Sequence, residues 1–141
     1  MEVYNEAAVK KDLDGVLLDY KYPGEKGPHY VVSIRPDKLD FRSPWPGEKP
    51  AQPPQQQSSS VQPPPEGVDY RARKIREGLY LVHWIVNKQI HVTLLLDFEN
   101  KKTIGAALMP GQWELWDVAD WDRWQLPSAG LKNYQGSGIK R

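Results

Sequence analysis

The stretch that decides the fold is Leu79-Tyr80-Leu81-Val82-His83-Trp84-Ile85-Val86, then Asn87-Lys88-Gln89, then Ile90-His91-Val92-Thr93-Leu94-Leu95-Leu96. Tyr80, Val82, Trp84 and Val86 alternate with Leu79, Leu81, His83 and Ile85, and Ile90, Val92, Leu94 and Leu96 alternate with His91, Thr93 and Leu95. Side chains of a strand point to opposite faces with period two, so each run predicts a strand apolar on one face throughout and partly apolar on the other. A polar break, Glu99-Asn100-Lys101-Lys102, precedes a third apolar run from Thr103 to Met109. Connections this short force antiparallel neighbours. Such a meander buries its common face by curling into a closed or nearly closed barrel. The expectation is all-β: one antiparallel up-and-down barrel domain over residues 1–141, with short terminal helices and one long Pro/Gln/Ser-rich loop.

Working outward, Val3 to Leu18 has a weakly helical pattern, and Leu17 to Tyr22 reads as the first strand. His29–Ile34 and Lys38–Arg42 read as a hairpin around Pro36-Asp37. Residues 44–67 differ in kind, being built of Pro, Gln, Ser and Gly, and predict a solvated, disordered loop insertion. Such an insertion costs little closure entropy. Near the C-terminus, Trp113, Trp116, Trp121 and Trp124 lie among acidic residues at spacings that suggest a short helix, or a strand then a helix, laid on the barrel. Residues 129–141 read as a flexible tail.

A formal net charge of +1 provides no field for nucleic acid or an anionic membrane, so no partner of either kind is expected. No apolar run reaches the length of a membrane span, and the first residues lack the pattern of a signal peptide. The chain has no cysteine and only 3 histidines at unhelpful spacings, which argues against disulfides and a metal site. These features predict a cytoplasmic protein. Leu79, Leu81, Ile85 and Leu95 surround His83 on the outer face, which predicts a homodimer.

Lys74 to Trp84, followed by Val92-Thr93-Leu94 and by Lys101 through Gly105 to Pro110, resembles the middle of the bacterial phenolic acid decarboxylases, small calycin-like barrels. Upstream, Tyr20-Lys21-Tyr22 is similar to that family's Tyr-x-Tyr on the first strand. The resemblance covers roughly residues 15–43 and 68–110. It implies a cofactor-free site in which paired tyrosines hold a substrate carboxylate while a glutamate protonates the alkene of a 4-hydroxycinnamate. Two departures stand against that chemistry. The position matching the glutamate is Val86, and the strand that carries the family's arginine is replaced by the proline-rich insertion. General acid catalysis contributes about 10²–10⁴-fold, which an aliphatic residue at that place forfeits.

The residues point the same way. Tyr20 and Tyr22, two apart, share one face, so both hydroxyls converge on one ligand oxygen, and Tyr30 sits on the next strand. Arg71 and Arg73 share a strand face and are candidate cations for an enolate or carboxylate. With these five as catalytic candidates, the expected binding wall is Leu39, Phe41, Tyr80, Val82, Trp84, Val86, Val92, Leu94, Ala107 and Met109. The expected ligand is a small phenolic, quinone-methide-like or polyketide-like molecule of specialised metabolism, and the expected activity a cofactor-independent lyase, isomerase or cyclase step. The alternatives are a non-catalytic carrier of the same ligand and a phenolic acid decarboxylase with a relocated acid.

Overall fold

The structure, a computed structural model, describes residues 5–24, 29–48, 67–126, 131 and 136–139. One helix, α1 (Glu6–Asp12), precedes nine strands: β1 (Leu17–Lys21), β2 (His29–Ile34), β3 (Leu39–Asp40), β4 (Arg71–Arg76), β5 (Leu79–Val86), β6 (Ile90–Asp97), β7 (Lys102–Leu108), β8 (Leu115–Leu126) and β9 (Gly136–Ile139). The order across the sheet is β3-β2-β1-β8-β7-β6-β5-β4, with β9 added to β8. Every paired strand is antiparallel. The sheet curls into a half-barrel, the all-β architecture expected from the alternation of β5 and β6.

The two ends of the sheet meet at one bridge. Leu39 and Val68 exchange two backbone hydrogen bonds of 2.9 and 2.8 Å. Gly67, at φ +90°, makes that approach possible, since a Cβ there would stand 3.0 Å from the Leu39 carbonyl oxygen. The helix binds both flanks of the remaining gap. Asn5 caps it through the Ala8 N–H, and Glu6 accepts from the Ala72 backbone on the otherwise open edge of β4. Just beyond its C-terminus, Gly15 donates to the Ile34 carbonyl. Val9 and Leu13 face inward and join the core.

Inside, Tyr80, Phe98 and Trp121 pack edge to face at 5.3–5.6 Å and fill one level of the barrel. Both polar tips in this group are satisfied: Tyr80 donates to Asp12 at 3.0 Å, and Trp121 Nε1 donates to Thr103 Oγ1 at 2.8 Å.

Three expectations need correction. The tryptophan-rich segment is not a helix but the 12-residue strand β8, and it bridges β1 and β7. It extends the outer face of β5 to β7 and adds exposed Trp116 and Val118 to it. The tail expected at 129–141 contains β9, paired with Arg123 to Leu126. Most of the predicted loop insertion, residues 49–66, lies outside the described residues. Its described root, however, packs: the Arg123 guanidinium lies 4.5 Å over the Trp45 ring and pairs with Glu48. Arg123 also pairs with Asp19, which is buried on that outer face and held by His29 as well. A buried carboxylate persists only when partnered in this way. Among the described residues no helix is long and apolar enough to cross a membrane.

Thr103→Val keeps the shape but strands the Trp121 N–H in the core. We expect the unfolding free energy to fall by about 1–3 kcal/mol, the penalty of an unsatisfied buried donor. Urea denaturation measures it, and an unchanged midpoint would mean that the indole finds another acceptor.

Candidate functional site

Beyond the aromatic level the barrel is hollow. A cavity of about 300 Å³ lies between β1, β2 and the mouth-side halves of β5 to β8. Its far wall is Trp84 and Val86 on β5, Ile90, Val92 and Leu94 on β6, and Gly105, Ala107 and Met109 following β7. These are the inward positions of the alternating runs, placed opposite one another by the register Trp84↔Val92↔Ala107 and Val82↔Leu94↔Gly105. The small residues Gly105 and Ala107 leave the volume unfilled.

The near wall is the tyrosine cluster. Tyr20 and Tyr30 are direct cross-strand partners on β1 and β2, and Tyr22 follows two residues after Tyr20 on the same face. The three rings lie 5.6–6.2 Å apart, the Tyr22 ring edge-on to both others. Tyr20 is only 2% exposed. Burial pushes the Tyr20 phenol well above its ordinary value, Tyr22 up to about 12, and Tyr30 upward. A hydrogen bond joins the Tyr20 and Tyr22 hydroxyls, and it raises the first and lowers the second. At neutral pH all three are hydrogen-bond donors and none is a base.

Gly105 is where this cluster touches the opposite wall. A Cβ built there would lie 1.9 Å from the Tyr22 Oη and 3.1 Å from Leu94. The phenol tip therefore rests on the bare β7 backbone, a contact that only glycine permits.

On the remaining side Phe41 stacks on Trp84 at 5.6 Å and 21°. Trp84 is 3% exposed, and its Nε1 has no hydrogen-bond partner among the described residues. At the rim stand Leu115 and Asp117, inward residues of β8 paired with Ala107 and Gly105. The negative charge of Asp117 raises Tyr22 further. Arg42, beyond the cavity lining, acts on Tyr30 in the opposite sense.

The structure thus brings together Tyr20, Tyr22, Tyr30, Phe41, Trp84, Val86, Val92, Leu94, Ala107 and Met109. It does not bring in the other five. Leu39, Tyr80 and Val82 point inward, but they are fully buried in the core and do not line the hollow. Arg71 and Arg73 belong to the outer face, because they pair across strands with the outward residues His83 and Leu81. Arg71 is engaged there with Glu6 at 2.8 Å. His83 and His91 also face outward, with rings 5.7 Å apart. Among the described residues no group of three His, Cys, Asp or Glu side chains is placed to hold a metal ion. Ile90, Gly105, Ala106, Leu115 and Asp117 line the cavity beyond the expected wall, and Leu115 and Asp117 belong to a strand that sequence reasoning did not place there. The alternation of Leu115, Asp117, Ala119 and Trp121 was their signal, weakened by a carboxylate on the apolar face. No protein-family model matches the sequence, and no curated protein matches it either.

Two outcomes follow from this packing. Gly105→Ala should displace the Tyr22 hydroxyl and lower stability by about 1–3 kcal/mol, as overpacking does. Adding Tyr22→Phe should recover part of that loss, a coupling that a double-mutant cycle in urea reads out. Purely additive effects would show that the two residues do not touch.

The second outcome concerns alkali. A tyrosine raised from 10 to about 12 keeps its proton in the folded chain while the unfolded chain has already lost it. The stabilisation is complete below pH 10 and disappears as pH rises through about 12. Tyr22→Phe should flatten the fall in denaturation midpoint across that window. An equally steep fall in the variant would assign the alkaline transition to other groups.

Proposed function

We propose that the cavity binds a small phenolic or polyketide-like molecule and acts on it without a cofactor, in a lyase, isomerase or cyclase step. The observation that carries this reading is the hollow itself, about 300 Å³ walled by apolar side chains, with the Tyr20, Tyr22 and Tyr30 rings gathered on one wall. An apolar hollow with a few convergent polar groups is the usual form of a small-molecule site.

The tyrosines supply the chemistry. The Tyr20 and Tyr22 hydroxyls are hydrogen-bonded to each other, and such a pair polarises when one of them also meets a ligand oxygen. A donor held in place in a dry site stabilises charge as it develops on a phenol or carbonyl oxygen, as in enol or quinone-methide intermediates. Decarboxylation in the manner of the resembled family lacks its acid, because Val86 stands on the wall where the glutamate is needed. A carrier without turnover is the second reading, favoured by the tyrosines' being donors with no base among them at neutral pH. In either case the protein is assigned to specialised metabolism, in the cytoplasm, self-associating through the outer face of β5 to β8.

Tyr20→Phe and Tyr22→Phe test both readings against a panel of 4-hydroxycinnamates, vinylphenols and cyclic enols. Stability should change by about 1 kcal/mol or less, the contribution of one neutral hydrogen bond. Turnover should fall by about ten- to a thousandfold where the hydroxyl acts in the transition state. A carrier shows weaker binding alone, followed as quenching of tryptophan emission, and forms no product. Full activity in the double variant would place the site elsewhere.

A further inference from the structure

We propose that the cavity selects an uncharged, hydroxyl-bearing ligand, a phenol or an enol, over a carboxylate of the same size, and that Asp117 is the residue that rejects the anion. The inference rests on the binding reading above and specifies its ligand class. Among the described residues that line the cavity Asp117 is the one that carries charge, and no Lys, Arg or His is among those described. An anion entering an apolar hollow loses its hydration and is compensated only by a cation or by several hydrogen bonds.

The donors that remain are placed against such compensation. Tyr20 is 2% exposed and Tyr22 9%, so Tyr22 is the outer hydroxyl of that pair. Its Oη rests on Gly105, and Gly105 is the cross-strand partner of Asp117. An oxygen that meets the Tyr22 hydroxyl therefore lies in the field of the Asp117 carboxylate. For a carboxylate that is like-charge repulsion, and for an uncharged hydroxyl it is none, the Asp117 carboxylate being held by the Val118 N–H at 2.9 Å. The contrary influence is Arg42, which acts on Tyr30 from beyond the lining and whose backbone N–H bonds to Asp40 at 2.8 Å.

The experiment compares 2-naphthol with 2-naphthoate near neutral pH, where the first is uncharged and the second ionised. Binding to the full chain is followed by tryptophan emission and calorimetry, with wild type, Asp117→Asn and Arg42→Gln. We expect wild type to bind the naphthol at least about tenfold more tightly, the scale set by an uncompensated charge near a second one. Asp117→Asn should narrow the ratio severalfold, chiefly by improving naphthoate binding, because an exposed rim carboxylate is partly screened by solvent. Equal binding of the two probes, or a ratio that Asp117→Asn leaves unchanged, overturns the inference and leaves the cavity reading standing. Naphthoate binding that is tighter and abolished by Arg42→Gln overturns it too, placing an acid group beside Tyr30. Failure of both probes to bind, with the fold intact by circular dichroism, overturns the cavity reading and this inference together.

Discussion

Period-two alternation along consecutive strands gives a curled sheet a fixed number of inward positions, and what those positions carry decides whether its interior is solid or hollow. Here the two outcomes are stacked along one barrel. Phe98 stands edge to face against both Tyr80 and Trp121 and fills one level with them, whereas Gly105 and Ala107 contribute almost nothing at the next. The register between β6, β7 and β8 joins Leu94, Gly105 and Asp117 in one row. A shift of one residue would turn that row to the outside, so the cavity depends on this pairing.

The meander was legible because each of its strands alternates without interruption and its turns are short. Tyr20, Tyr22 and Tyr30 were legible because cross-strand pairing turns a sequence spacing into proximity. The C-terminal strand was not, and the reason is local. The pairing of β1 with β8 shifts between Asp19 and Tyr20, so that Tyr20 opposes Trp121 while Asp19 opposes Arg123. The extra residue, Asp122, lets Trp121 and Trp124 both face inward although they are three apart. Three is a helical spacing, and a bulge imitates it. Trp116 and Trp121, five apart, lie on opposite faces as a strand requires. Read as a helix, the segment hides Asp117. Read as a strand, it places Asp117 opposite Gly105.

Sequence reasoning also treated all inward residues as one class. Leu39, Tyr80 and Val82 do point inward, but neighbouring side chains cover them completely and close them off from the hollow. The position of Phe98, just past the end of β6 in the turn that leads to β7, was what sequence left unsaid. Its ring completes the aromatic level between Tyr80 and Trp121. The arginines illustrate the reverse error. Arg71 and Arg73 share a strand face, as read from the sequence, but the pairing of Arg71 with His83 ties that face to the outside.

The physical character of the hollow follows from these placements. Its tyrosine hydroxyls are neutral and are kept so by burial, and among the described residues its one lining charge is negative. A hydroxyl raised in pKa is a weaker acid, so it keeps its proton while it donates a hydrogen bond to a partner oxygen. Val86 makes its part of the wall aliphatic, and the polar group set into the hollow is instead Tyr22, placed on the bare backbone of Gly105.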